Sequence, residues 1–156
     1  MLKQLQKRNE GFTIIEVLIV LAIAGLIMVV VFIAVPNLQR NARNNRIQTE
    51  ANGLVTAYSE VSNNKGGQIL TSTDVAAIKA AANNDTNSTI QTVTVTAGAG
   101  TTTVADTMSA QFFTKAKCDV DITNGKTVAG TTRTAALIYA KLSNDATGYV
   151  KQCVNI

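Results

Sequence analysis

The chain has 156 residues, room for one modest domain beyond an anchor, and is 46% hydrophobic with few aromatics and no Trp. Its formal charge is +4, but half of that sits in the first eleven residues, where Lys3, Lys7 and Arg8 outweigh Glu10, and the remainder is too small to argue for a nucleic-acid partner. The absence of His excludes His-based triads, His-held metals and the commonest general base, and no P-loop or dinucleotide fingerprint occurs, so no catalytic, cofactor-binding or metal-ligating set is expected and the composition points away from an enzyme.

The first element is a short basic leader, residues 1–11, ending at Gly11. Behind it runs an uncharged stretch from Phe12 to Gln39, interrupted by a single carboxylate, Glu16. From Val17 to Val35 nothing is more polar than Gly25, and as a helix this stretch rises roughly 28 Å, about one hydrocarbon core. An ionisable side chain at the head of such a segment is costly unless it finds a partner, which marks Glu16 as functional rather than incidental. A secretory signal would place its cleavage site after the apolar run, among small residues, and Val35-Pro36-Asn37-Leu38-Gln39 offers none. Gly25 weakens the helix, while Pro36 cannot donate to the Phe32 carbonyl and crowds it, so the helix is expected to kink at these positions.

The string Gly11-Phe12-Thr13-Ile14-Ile15-Glu16, with the leader before it and the apolar run behind it, resembles the N-terminus of type IV pilins and their relatives, the pseudopilins and competence pilins. The resemblance covers residues 1–40. It implies cleavage between Gly11 and Phe12 by a prepilin peptidase, N-methylation of Phe12, and pairing of Glu16 with the terminal amine of a neighbouring subunit during assembly. It also implies partners: further copies of the chain, the peptidase, an inner-membrane assembly platform and its ATPases. Pro36 lies close to one helical turn later, relative to Glu16, than in many pilins, which lengthens the apolar arm. Lys3, Lys7 and Arg8 before the span are matched by Arg40, Arg43 and Arg46 after it, so the positive-inside rule does not decide orientation. The two cysteines favour an oxidising exterior for the C-terminal part, placing the leader inside and the body outside. The expected locations are the inner membrane for the single-pass precursor and an extracellular filament for the assembled protein.

Beyond the transmembrane and polymerisation segment, 12–39, the helix is expected to continue as an amphipathic stretch over 40–61. Ile47, Ala51, Leu54, Val55, Tyr58 and Val61 recur at three- and four-residue steps and mark one face. Arg40, Arg43 and Arg46 spread along a polar side, where lipid headgroups, acidic neighbours and DNA phosphates compete with plain solvation. Ser62 to Gly67 ends the helix. Thr71 to Asp74 caps a short helix reaching Ala82, and Asn83 to Ser88 is a polar loop. Ile90 to Thr96 alternates like a strand and Ala97 to Gly100 breaks it. Phe112 to Ile122 reads as one strand containing Cys118; Ala135 to Leu142 and Tyr149 to Ile156 read as two more, joined by a turn through Asn144 to Gly148. Residues 62–156 thus form a globular head of three or four antiparallel strands against the long helix, an α+β fold. Asp119 to Gly125 looks superficially like a calcium loop, but the spacing misses the EF-hand pattern and no closing Glu follows, so a strand entering an Asn-Gly turn is expected.

Cys118 and Cys153 are the only cysteines. A bridge between them, which the resemblance to the C-terminal disulfide loop of many pilins also favours, would stabilise the head by about 4 kcal/mol; two free thiols are the alternative, and no Cys-x-x-Cys suggests redox chemistry. The expected function is that of a structural subunit of a type IV pilus-like filament supporting motility, adhesion or DNA uptake. The alternatives are a pseudopilin of a type II secretion system, or a minor or competence pilin whose head binds a ligand or DNA. The latter would want a basic or aromatic cluster at the tip, and DNA as a partner has no support in the sequence.

Overall fold

The computed structural model describes residues 11–119, 125–144 and 148–156. A long helix, α1 (Ile14–Asn64), is followed by a 3-10 turn (Ser72–Asp74), a short helix α2 (Val75–Ala81) and six strands: β1 (Thr92–Ala97), β2 (Ser109–Thr114), β3 (Ala116–Cys118), β4 (Thr127–Ala129), β5 (Ala135–Leu142) and β6 (Tyr149–Asn155). The chain divides into two compact units, one ending at Gln39 and one running from Arg40 to Ile156.

The first unit is the apolar part of α1. Its Ile and Val residues have modest helix propensity, and no tertiary packing compensates, because every large apolar side chain from Phe12 to Leu38 is exposed. In hydrocarbon the choice is forced: a spanning segment must satisfy its backbone internally, and a single chain does so only as a helix. Gly25 and Pro36 both lie inside α1, and neither ends it.

In the second unit α1 buries Ile47, Ala51, Leu54, Ala57, Tyr58 and Val61. Val55 sits at the margin of this stripe and is only half-buried, while Ala57, absent from the expected face, lies within it. The helix ends where Gly66 and Gly67 take positive φ (71° and 77°), so that their N–H groups donate back to the carbonyls of Asn63 (2.9 Å) and Ser62 (2.8 Å).

The main sheet has strand order β1-β2-β5-β6. β2–β5 and β5–β6 are antiparallel, but β1 runs parallel to β2, from Thr92↔Ser109 to Ala97↔Thr114. The expectation of an all-antiparallel sheet is corrected here. The segment 98–108 is no tight hairpin; it carries the chain back along the sheet before β2 begins, as a parallel pair requires. The single strand expected over Phe112 to Ile122 is also corrected. It divides at Lys115, whose φ of 55° breaks the ladder between β2 and β3. β3 then pairs with β4 in a separate two-stranded sheet that the sequence reading missed. Gly130, just after β4, must be Gly: a Cβ there would stand 2.0 Å from Thr134 Oγ1 and 3.0 Å from the Ala116 carbonyl carbon. The expected turn falls on 145–147, and the end of the expected strand on 120–122, outside the described residues.

β2 and β5 are covered on both faces. Ala110, Phe112, Ala135, Leu137 and Tyr139 face α1 and join its stripe in one core, where the rings of Tyr58 and Phe112 stack at 4.9 Å. The intervening residues Phe113 and Ile138 turn the other way and pack with Ala116 of β3 and Cys153 of β6. Strand alternation thus builds two cores from one sheet, one under the helix and one under the small sheet.

Candidate functional site

Gly11, Phe12 and Thr13 precede α1 and are exposed, Phe12 by 82%. Thr13 caps the helix. Its carbonyl accepts from the N–H of Glu16 (3.1 Å) and Val17 (3.3 Å), and its hydroxyl accepts from Glu16 N–H (3.3 Å) while donating to Glu16 Oε2 (3.4 Å). This is a variant of the Thr-x-x-Glu capping arrangement, with the acid placed favourably at the positive end of the helix. The sequence reading missed it, although the Thr13-x-x-Glu16 spacing carries the signal. The cap satisfies the backbone but leaves the carboxylate without a counter-charge: among the described residues no cation pairs with Glu16. Behind it, the apolar surface of the helix continues on all sides, with Val35 its least exposed large side chain at 41%. Gly25 leaves bare backbone on that surface, with nothing of its own chain within 4 Å of where a Cβ would be.

A family model for the prokaryotic N-terminal methylation motif matches residues 6–32, a stretch that takes in Gly11, Phe12, Glu16 and Gly25. The chain carries the type IV prepilin and pseudopilin signature. Comparison with curated proteins and with solved structures gave no match. The matched stretch ends at residue 32, well short of the head.

The head is held by cross-ties between elements far apart in sequence. A disulfide joins Cys118 on β3 to Cys153 on β6 with Cα atoms 5.8 Å apart, and Cys118 N–H donates to Asn155 Oδ1 at 2.7 Å. The bridge fastens the small sheet over Phe113 and Ile138. Asn44 clamps α1 to the end of β5, donating to the Leu142 carbonyl (3.0 Å) and accepting its N–H (2.8 Å). Glu50 receives the N–H groups of Thr89 (2.9 Å) and Ile90 (2.8 Å) and pairs with Arg46 at 2.9 Å. Partial burial pushes the Glu50 carboxyl up, but these donors together outweigh it and hold the group below its ordinary value. Asp74 is likewise held low, by the Lys65 ammonium and then the Thr71 N–H.

The three arginines that follow the apolar stretch are not equivalent. Arg40 donates to Asn144 Oδ1; Arg46 pairs with Glu50 and also donates to the Asn87 carbonyl at 2.5 Å; Arg43 is exposed. Among the described residues no group of three or more His, Cys, Asp or Glu side chains is placed to hold a metal ion. The calcium-like stretch falls largely on 120–124, outside the described residues.

Proposed function

We propose that this chain is the precursor of a structural subunit of a type IV pilus-like extracellular filament, serving motility, adhesion or DNA uptake. The signature implies processing by a prepilin peptidase and self-assembly in general. For this chain we assign cleavage between Gly11 and Phe12, N-methylation of Phe12, and a membrane-held state in which residues 12–39 span the inner membrane and the disulfide-bonded body lies outside. The reading rests on one observation: a lone carboxylate, Glu16, heads an apolar helix that its own chain leaves uncovered.

Two things are missing from the isolated chain, a cover for the apolar helix and a charge for Glu16. Copies of the same helix supply the first by exchanging lipid for packed side chains, and the Phe12 amine of an incoming copy supplies the second. Opposite charges attract strongly where water is scarce, and an unpaired one is costly there. The pair also fixes axial register, which smooth apolar helices specify poorly. The assembly platform and its ATPases drive the transfer out of the membrane.

The test compares membrane-fraction level with sheared-filament yield. Glu16→Ala makes the span more apolar, so the variant inserts, is cleaved and accumulates at least as well as the parent, yet gives no homopolymeric filament. Mass spectrometry of the processed chain should begin at a methylated Phe12. Normal filaments from Glu16→Ala, or a different first residue, would defeat the proposal.

A further inference from the structure

We infer that Asn87 is an acceptor for N-linked glycosylation, taking an oligosaccharide from a lipid-pyrophosphate donor; this rests on the reading above that the body lies outside the membrane. The acceptor tripeptide Asn-x-Ser/Thr occurs at Asn84-Asp85-Thr86 and at Asn87-Ser88-Thr89. The tripeptide alone is a weak signal, but the structure separates the two.

Asn84 is spent on the fold. It is 9% exposed, and its Nδ2 donates to the Ile90 carbonyl at 2.8 Å, closing the loop that leads from α2 towards β1. A sugar on that nitrogen would break the bond and force the side chain out of its buried place. Asn87 is exposed, and its side-chain amide makes no hydrogen bond among the described residues.

Asparagine is common in turns because its side chain bonds to nearby backbone, so an idle amide in a turn needs another reason. Here Asp85 does that local work. Its Oδ1 accepts the Asn87 N–H at 2.9 Å and the Ser88 hydroxyl at 3.4 Å, and its carbonyl accepts the Ser88 N–H at 3.1 Å. The Asn87 carbonyl in turn accepts from Arg46 of α1 at 2.5 Å. The Asn87 backbone is thus held on both sides while its amide is left unused. The chain needs no pocket for the sugar, because a separate transferase holds the donor. It must offer an exposed amide and a hydroxyl two residues on, which Thr89 supplies. Thr89 is half-buried and its hydroxyl bonds to Glu50, so transfer requires that one contact to open.

In the transfer the Asn87 amide nitrogen bonds to the anomeric carbon of the sugar and gives up one proton to the transferase. The bond from that carbon to the phosphate oxygen breaks, and the lipid pyrophosphate leaves with the electron pair. The attached glycan is bulky and hydrated, so it keeps this turn out of any protein contact the body makes.

The experiment isolates the full chain from membranes and sheared filaments of its own cells and localises added mass by peptide fragmentation. The parent should carry a glycan on the Asn87 nitrogen, with Asn84 bare. Asn87→Gln and Thr89→Ala should each lose the added mass entirely. Thr89→Ser keeps the hydroxyl and should retain it, which separates recognition of that hydroxyl from damage to the fold. A glycan that persists in Thr89→Ala overturns the assignment. So does a glycan on the Ser88 or Thr89 oxygen, or deamidation of Asn87 without added sugar. Protease added to spheroplasts keeps the site apart from the reading beneath it. A body cleaved from outside yet bare at Asn87 removes the site alone, whereas a body shielded from the protease removes the outward placement and the site together.

Discussion

Ile14 and Ile47 belong to the same helix, yet Ile14 is 82% exposed and Ile47 0%. Helix formation is common to both stretches of α1; what differs is the cover. From Ile47 to Val61 the chain supplies it, through Phe112, Leu137 and Tyr139 on the facing sheet. From Phe12 to Leu38 it supplies none. An apolar surface of that extent in a stable protein is covered by lipid or by another chain. The comparison teaches that the body is a closed problem, solved by contacts within the chain. The first unit is an open one, whose solution lies in other molecules.

The largest expected effect tests the closure of the body. Cys118→Ser or Cys153→Ser should each destabilise it by about 4 kcal/mol, and by similar amounts, because either opens the same loop. Hydrogen exchange of β5 and β6 amides, measured on the full chain in detergent, should rise in both variants while exchange in the span is unaffected. Readily labelled thiols in the unreduced, denatured parent chain would remove the bridge from the account. A span that loosened together with β6 would break the division into closed and open parts.

The same division explains how much was legible in the sequence. The N-terminal signal is local: Gly11, Phe12, Glu16 and the apolar run stand next to one another, and their order carries the meaning. α1, the Gly66-Gly67 stop and β5 were equally readable, since periodicity and breakers act over a few residues. The direction of β1 was not, because parallel pairing with β2 is decided by how 98–108 returns and not by the alternation within either strand. β4, with only Thr127, Val128 and Ala129, is too short to show a period; its partner β3 and Gly130 make it a strand. The inequality of Arg40, Arg43 and Arg46 was invisible too. It depends on Asn144, Glu50 and Asn87, two of which lie far away in the chain.

A smaller effect probes one of those distant ties and gives the body a pH dependence that the span should lack. The Glu50 carboxyl is held below its ordinary value of 4.5, so the unfolded chain binds the extra proton more readily. Its contribution is therefore complete above that value and is lost as pH falls through the lower folded value. Asp74, also held low, acts in the same direction below its ordinary 3.8. Glu50→Ala should cost about 2 kcal/mol at neutral pH. Glu50→Gln keeps one acceptor and should cost less, but it should flatten the acid limb of stability against pH. An unchanged acid limb in Glu50→Gln would show that the tie to Thr89 and Ile90 carries no linked proton.

The smallest expected effect bears on the open unit and on what Glu16 is for. In the isolated chain Glu16 takes part in the helix cap with Thr13, and that local role alone would account for an acid at the start of a helix. The two roles separate by substitution. Thr13→Ala removes the hydroxyl that accepts Glu16 N–H, at a cost of about 1 kcal/mol to the first turn, and leaves the carboxylate charge in place. Glu16→Gln does the reverse, keeping an acceptor for the Thr13 hydroxyl while discarding the charge. If Glu16 matters as a capping partner, Thr13→Ala should impair filament yield at least as much as Glu16→Gln. If it matters as a counter-charge for the Phe12 amine of another copy, Thr13→Ala should assemble nearly as well as the parent and Glu16→Gln should assemble poorly. The open-unit reading requires the second pattern, because a helix that only needed its own cap would have no unmet demand at its head for a neighbour to fill. Equal filament loss in the two variants would return Glu16 to local structure and leave the apolar surface alone to argue for polymerisation.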